Sequence, residues 1–273
     1  MTIHTVCLAM SPGLRAESAT PPSRFAAWRS FLTGVLLGLA FLVALGTAMA
    51  QGIDHAPFDA LLKANVKNGV VKYSGFQDNA AFKKYVEDLG KPAKLDTKAD
   101  QLAYYINAYN AFAIEGILQG LSPSTLLGRT RYFKFKEWQL NGQSITLYDL
   151  EHKVIRPLSE PRIHFSIVCA SKMCPLLRSE AYSTAKLEGQ LEAQAKEFAN
   201  DPVRNRFDKT TKTAHLSEIF KWFEEDFQGA GSTQKYLARY VADAEIAKGL
   251  AADGYKVEWI DYDWNLNGSP PKR

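Results

Sequence analysis

The sequence has little net charge, and this excludes one class of protein. Arg15, Arg24, Arg29 and Glu17 are the charged residues of the first 50, so 30 basic residues face 28 acidic ones in the remainder. The resulting net charge of +2 is not the basic footprint of a nucleic-acid-binding protein. We therefore predict no nucleic-acid partner.

Internal repeats and cysteines are also scarce. No repeat period or low-complexity linker interrupts residues 57–264, and about 210 residues suit one domain. The chain is 46% hydrophobic and 12% aromatic, enough for a globular core rather than disorder. Beyond Cys7, Cys169 and Cys174 are the only cysteines. Their spacing with the histidines matches no recognised zinc pattern, so we predict no metal and no cofactor.

The first 50 residues have the pattern of a leader with a secretory signal peptide. Residues 31–50 carry no charge, follow two arginines and end on Ala48-Met49-Ala50, the small-x-small pattern that signal peptidase reads. We predict cleavage before Gln51, a periplasmic or secreted location, and no stable membrane span afterwards. The alternative is a retained anchor, since about twenty apolar residues can span a bilayer.

The remaining residues alternate between helix and strand patterns. Asn141-Gly142 between two strand-like runs is a hairpin signal. The sequence predicts an α+β fold in a single compact domain over residues 51–267, with a central buried helix, a β-hairpin and a mixed sheet, before a disordered tail over 268–273. The helices are expected over 57–64, 79–89, from Asp96 or Thr97 to Leu118, Thr146–Arg156, Ala185–Ala199, Leu216–Phe227 and Thr233–Ala251, and the strands over GVVKY, IHFSIVCA and YKVEWIDYDW.

Two polar residues interrupt the apolar pattern of the helix expected after Thr146. Glu151 falls inside a stripe of leucine, valine and isoleucine, and His152 lies near the edge of that stripe. A buried carboxylate without a partner costs several kcal/mol or becomes neutral. Glu151 is therefore either paired to Arg156 or Arg162, or part of a functional site. A solvated histidine is the alternative for His152.

Asn107 and Asn110 are three residues apart on the central helix, which is apolar almost all round. Buried amides must find hydrogen-bond partners. They either tie the helix to a neighbouring strand, or donate to a substrate carbonyl or orient a histidine, and we include them as candidate substrate-binding residues. Arg178 is a third candidate of this kind.

The stretch RIHFSIVCASKMCPLLR combines His164 with Cys169 and Cys174. On a strand, His164 and Cys169 would point to opposite faces, which disfavours a simple histidine–cysteine dyad. Pro175 following Cys174 is compatible with a helical turn that would lower the pKa of the thiol. The turn between the cysteines is short enough for a disulfide, which is the expected state in an exported protein.

Five motifs together resemble the domain of unknown function 547 family over residues 57–267. They are YYINAYNAFAIEGIL, ITLYDLEHKVIR, IHFSIVCASKMCPLLRSEAY, LSEIFKWFEEDF and YDWNLN. The resemblance implies that the paired asparagines, the Glu151-His152 pair, and His164 with both cysteines belong to the family pattern. Met173 and Leu176 depart from it, where small or proline residues are common. The family has no assigned activity.

Two functions fit these residues. In the first, the chain is an enzyme for acyl transfer or hydrolysis, a thiol- or His/Glu-dependent one, acting on an unidentified small-molecule or peptide ligand. Its candidate catalytic residues are Cys169, Cys174, His164, Glu151 and His152. In the second, the chain is a disulfide-stapled binding or structural module of the cell envelope. The first also predicts that Glu151, Asn107, Asn110 and His164 converge on one cleft.

Overall fold

A long buried helix is central to the computed structural model, which describes residues 52–269. The helix spans Lys98–Leu118, and fourteen of its 21 residues are buried. Thr97 caps its first turn in a capping box with Asp100, so the start predicted from the sequence is confirmed. The expected leader, its cleavage site and residues 270–273 lie outside the described residues.

The other elements surround this helix. The helices are α1 (Ala56–Asn65), α2 (Ala80–Leu89), α3 (Lys98–Leu118), α4 (Leu126–Thr130), α5 (Leu147–Asp149), α6 (Leu187–Ala199), α7 (Ile219–Trp222), α8 (Glu224–Phe227), α9 (Thr233–Leu237) and α10 (Ala244–Ala251). Wider π turns continue α4 over Arg131–Phe135 and α5 over Leu150–Ile155. The strands are β1 (Val66–Lys67), β2 (Val70–Lys72), β3 (Glu137–Leu140), β4 (Gln143–Thr146), β5 (Arg206–Asp208), β6 (Thr213–Ser217), β7 (Lys256–Ile260) and β8 (Gly268–Ser269).

The strands form three small sheets, and the predicted α+β class is confirmed. β3 and β4 form the expected hairpin, with Trp138 opposite Ile145. Asn141 and Gly142 turn it with positive φ angles of 49° and 78°, as a tight hairpin requires. β6 pairs antiparallel with β5 and parallel with β7. β8 joins β2 in parallel, so Gly268 and Ser269 belong to a sheet rather than to the expected tail.

Two hydrophobic clusters form the core. The larger surrounds α3, and the smaller packs aromatic rings from Phe165, Phe198, Phe220 and Phe227 against α9 and α10. Phe165 and Phe198 stack with their ring centroids 4.7 Å apart. Within residues 52–269, no helix is both long enough and apolar enough to cross a membrane.

The strand predicted for IHFSIVCA is wrong. Pro161–Phe165 form a 3₁₀ turn, and the backbone amides of Ser166 and Ile167 both bond to the carbonyl of Ile163. Pro161 starts the turn because its fixed φ suits a first helical position. An apolar run of this length looks the same in a strand and in a buried turn.

Two predicted helices are also shorter than expected. The segment from Leu216 begins in β6, because strands β5 and β7 pair with it on both sides, and the helical part that follows breaks at Phe223 into α7 and α8. The helix expected over Thr233–Ala251 divides into α9 and α10. Asp243 caps α10 by accepting from the amides of Glu245 and Ile246, which starts a new helix.

Two asparagine side chains on α3 hold irregular backbone against the central helix. The Asn110 amide donates to the Ser166 carbonyl (3.0 Å) and accepts from the Val168 amide (2.8 Å). Asn107 makes the same two-bond contact with the backbone of Tyr182 (2.8 and 2.9 Å). Each side chain satisfies the buried backbone as a neighbouring strand would.

We expect Asn110→Ala to lower the free energy of unfolding by roughly 2–4 kcal/mol, because it leaves a buried amide and a buried carbonyl without partners. Denaturant unfolding would measure the loss. Glu115→Ala on the same helix is the control, since within residues 52–269 the Glu115 carboxylate bonds only to the exposed Gln119 side chain. Similar losses of stability in the two variants would contradict this structural role of Asn110.

Candidate active site

A cavity of about 330 Å³ lies where the two core clusters meet. Ile167, Cys169 and Cys174 come from the larger cluster, and Ile219 comes from the smaller one. Most of the wall is aromatic or aliphatic. The complete lining is Tyr109, Leu126, Arg129, Thr130, Phe133, Lys134, Tyr148, Glu151, His152, His164, Ile167, Cys169, Cys174, Pro175, Ile219, Trp222, Phe223, Tyr262 and Trp264.

Local sequence places Glu151 and His152 in this wall. Thr146 caps α5 by accepting from the Asp149 amide at 3.1 Å, and the helix then widens into a π turn over Leu150–Ile155. Leu150 is fully buried beneath it. π turns are rare and frequently occur at functional sites, and here the turn contributes two polar residues to an apolar cavity.

The Glu151 carboxylate has one hydrogen bond among the described residues, from the Tyr109 hydroxyl at 3.3 Å. Neither cation named from the sequence pairs with it. Arg156 binds Asp226, and Arg162 binds Glu160 and Glu188. Burial raises the pKa of Glu151 to about 7 although Tyr109 and Arg156 act in the opposite direction. Glu151 can therefore take up or release a proton near neutral pH.

A chain of four charged or polar groups runs beside the cavity. Arg156 makes a two-pronged contact with Asp226, through Nε to Oδ2 (2.7 Å) and Nη2 to Oδ1 (2.8 Å). Its third nitrogen, Nη1, is 2.9 Å from His152 Nδ1. Asp226 Oδ2 is also 2.6 Å from His164 Nε2. The order of contact is thus His152, Arg156, Asp226, His164.

These contacts determine which nitrogen of each imidazole holds the proton. A guanidinium can only donate, so His152 accepts at Nδ1 and its proton is on Nε2. His164 donates Nε2–H to the Asp226 carboxylate, which leaves Nδ1 as an acceptor. That Nδ1 is buried and has no protein partner within residues 52–269. The two rings therefore differ in hydrogen bonding: His152 offers a donor at Nε2 and His164 an acceptor at Nδ1.

Burial and charge keep both histidines neutral. Burial lowers the pKa of His164 despite the adjacent Asp226 carboxylate, and burial together with the Arg156 cation lowers the pKa of His152. Burial opposes ionisation of Asp226, but hydrogen bonds from His164 and Arg156 hold its pKa well below the usual range. The site thus contains one ionised carboxylate, Asp226, and one that titrates near neutrality, Glu151.

Aromatic rings hold the two imidazoles in position. His164 stacks on Phe223 with centroids 4.0 Å apart and planes inclined by 20°. His152 lies 4.2 Å from Tyr148. Across the cavity, Trp222 stacks on Trp264 with centroids 5.6 Å apart. These rings restrict rotation of the histidines and leave an apolar surface for a ligand.

The two cysteines form a disulfide-like pair in the cavity wall, with Cα atoms 6.1 Å apart. The Cys169 amide donates to Cys174 Sγ at 2.8 Å. Cys169 Sγ also lies 3.0 Å from the Ser171 hydroxyl, which in turn contacts the Tyr262 hydroxyl. Among residues 52–269, no group of three or more histidine, cysteine or acidic side chains could hold a metal.

Five predicted catalytic residues line the cavity: Glu151, His152, His164, Cys169 and Cys174. The three predicted substrate-binding residues are elsewhere. The amides of Asn107 and Asn110 are occupied by backbone groups, and Arg178 contacts Glu180 and Gln194. The polar convergence expected from the sequence therefore includes His164 and Glu151 but not the side-chain amides.

Sequence reasoning missed Asp226 and Tyr109 as parts of the site. Asp226 lies in the acidic run EEDF and is 62 residues from His164, so only the fold brings them together. Tyr109 lies between the two asparagines on α3, where its ring resembles any other core aromatic. Its buried hydroxyl contacts Glu151. The sequence signal for this contact was the carboxylate of Glu151 within an apolar stripe.

Comparison with known proteins supports the resemblance found in the sequence. Residues 92–199 match the family model described as "Protein of unknown function, DUF547". The DUF547 match includes the paired asparagines, Glu151 and His152, and His164 with both cysteines. It ends before Asp226, and the motifs LSEIFKWFEEDF and YDWNLN lie outside it. No curated protein and no solved structure matches the chain.

The raised pKa of Glu151 predicts a pH-dependent effect of Glu151→Gln on stability. Because the folded pKa of about 7 lies above the ordinary glutamate value of 4.5, this carboxyl stabilises the folded state at low pH. That contribution is lost as pH rises through 7. The unfolding free energy of Glu151→Gln minus that of wild type should therefore increase by about 2–3 kcal/mol from pH 5 to pH 8.

Denaturant unfolding at both pH values measures this difference. Asp149→Asn is the matched control, since Asp149 lies two residues away outside the cavity and pairs with Lys153 at 3.0 Å. If the difference in unfolding free energy between Glu151→Gln and wild type does not change with pH, the Glu151 carboxyl is already ionised at pH 5.

Proposed function

We propose that this chain is an enzyme that hydrolyses or transfers an acyl group, with Glu151 moving the proton. The observation behind the proposal is a buried carboxyl that faces a cavity, has one hydroxyl partner among residues 52–269 and has a pKa near 7. General acid–base catalysis is most efficient when the pKa of the catalytic group is near the working pH. A structural ion pair would instead hold a carboxylate pKa low, as at Asp226.

The neighbouring groups suit attack on a carbonyl. In its ionised form Glu151 would accept a proton from water as the water oxygen bonds to the carbonyl carbon, and the π electrons would move to the carbonyl oxygen. Collapse of this adduct would expel the leaving amine or alkoxide, which takes the proton back from Glu151. His152, with its proton on Nε2, would donate a hydrogen bond to the developing oxyanion.

The Arg156–Asp226 pair positions these groups rather than reacting itself. Arg156 fixes the tautomer of His152, and Asp226 fixes that of His164. The apolar walls would exclude water and accept an apolar or aromatic acyl group. The ligand class that we propose is accordingly an acyl amide, acyl ester or peptide.

The cysteines support a second candidate function, a disulfide-stapled binding module. In the paired state neither sulfur is a thiolate, and only a thiolate is an effective nucleophile. The aromatic cavity would then bind a ligand without transforming it. Glu151 distinguishes the two functions, because a binding module gains nothing from a carboxyl that titrates near neutrality.

We expect Glu151→Gln to lower kcat/KM by about a hundredfold or more, the usual contribution of a general acid or base. A panel of acyl esters, acyl amides and short peptides with chromogenic leaving groups provides the assay. Asp149→Asn should keep the wild-type rate. In the wild-type profile of kcat/KM, an ionisation near pH 7 should be present, and it should be absent from the residual activity of the variant.

The outcomes separate the candidates. Unchanged turnover in Glu151→Gln would exclude Glu151 as the catalytic group, and binding of panel members without turnover by wild type would favour the binding module. Cys169→Ser and Cys174→Ser test the thiol mechanism. With Glu151 as the catalytic group, both should keep turnover and lose similar stability, roughly 2 kcal/mol for a short loop. Loss of turnover in one folded serine variant would instead identify a nucleophilic thiol.

We also propose that the chain is exported and acts in the periplasm or outside the cell. The support is the leader pattern before Gln51 and the disulfide-like pair, since disulfides persist in oxidising compartments. N-terminal sequencing of the exported protein should give Gln51 as the first residue. Recovery of the intact N-terminus from the membrane fraction would instead indicate a retained anchor.

A further inference from the structure

One edge of the cavity is formed by a segment without acidic residues. From Gly116 to Lys136 the sequence has no aspartate or glutamate, yet it has four cations within eight positions. They are Arg129, Arg131, Lys134 and Lys136. The rest of the chain mixes acidic and basic residues, so this local excess is distinct from the small net charge of the whole.

The four cations have no carboxylate partner among the described residues. Ion pairs are common elsewhere, for example Lys84 with Asp88 and Lys209 with Asp243. Three of them lie over rings instead, and Lys136 is 4.7 Å from the centroid of Trp138. Arg129 is 4.5 Å from the centroid of Trp264, and Lys134 is 4.6 Å from that of Tyr148. Their charge is therefore not neutralised within the described part of the fold.

Large apolar side chains of the same segment face solvent. Leu126 is 74% exposed, Leu127 is 60% exposed and Phe135 is 69% exposed. All three belong to α4 and the π turn that continues it, so they share one short helical segment with Arg131 and Lys134. We name this surface the cationic rim; it consists of Leu126, Leu127, Arg129, Arg131, Lys134, Phe135 and Lys136.

We propose that the cationic rim docks on the surface of an anionic phospholipid bilayer. Leucine and phenylalanine side chains gain free energy by entering the boundary between headgroups and acyl chains, and lysine and arginine are attracted to anionic headgroups. Both features are needed for stable attachment, because either alone gives only weak binding. An acidic protein partner would match the charge but would not require exposed side chains of this size on a helix surrounded by cations.

The cationic rim adjoins the cavity. Leu126, Arg129 and Lys134 belong to the rim and also line the cavity. A bilayer bound at the rim would therefore lie beside the cavity opening. This inference does not depend on the proposed catalysis, because docking requires only the exposed side chains and unpaired cations.

Hydrogen–deuterium exchange of the full chain with lipid vesicles tests the proposal locally, whether or not the N-terminal segment is present. Peptides covering residues 124–136 should exchange about threefold or more slowly with vesicles of phosphatidylglycerol and phosphatidylcholine. They should be unaffected by phosphatidylcholine alone. A peptide around Val203, which is 56% exposed outside the rim, should not change in either case.

Two sets of substitutions separate charge from apolar insertion. Replacing all four cations with glutamine should abolish the protection, because each cation near an anionic surface contributes about fivefold in affinity. Replacing Leu126, Leu127 and Phe135 with serine should also abolish it, whereas Val203→Ser should not. Equal protection by neutral and anionic vesicles, no protection by either, or protection that persists in either substituted protein would overturn the proposal.

Discussion

Two asparagine side chains impose the constraint on which the rest of the structure depends. Buried backbone groups must be hydrogen-bonded, and among the described strands none pairs with the segment around Ser166 and Val168. Asn110 supplies both bonds from the central helix. With the segment held there, His164 and Cys169 reach the cavity from its two ends. Asn107 and Asn110 thus contact backbone, and the segment and the π turn supply candidate site residues.

Local signals explain which elements could be predicted. The helix caps at Asn79 and Thr97 and the Asn141-Gly142 turn act within a few residues, so the sequence is sufficient to locate them. The run IHFSIVCA was predicted as a strand because an apolar run of this length is typical of a buried strand. The run is buried, but the hydrogen bonds to its backbone come from Asn110, which is distant in sequence. Asp226 was unpredictable for the same reason, since its partners are all distant residues.

Glu151 and His164 could be found because each is polar where the local pattern is apolar. The same rule selected Asn107 and Asn110, whose partners are backbone groups. A polar residue in an apolar pattern therefore indicates a required contact without revealing whether the contact is with protein or ligand. Glu151 differs because, in the part of the chain that the structure describes, it bonds to a single hydroxyl and to no cation, whereas Asp226 bonds to Arg156 and His164. The pKa values of two carboxyl groups in one site are thereby shifted in opposite directions.

Asp226 belongs to α8, a helix of four residues, so the electrostatic environment of Glu151 depends on a single helical turn. The negative charge of Asp226 raises the pKa of Glu151, while the positive charge of Arg156 lowers it. If α8 opened locally, Asp226 would withdraw and Arg156 would lose its counterion, and both changes favour ionisation of Glu151. By thermodynamic linkage, such an opening would release a proton from Glu151 near neutral pH, and re-formation of the turn would take one up.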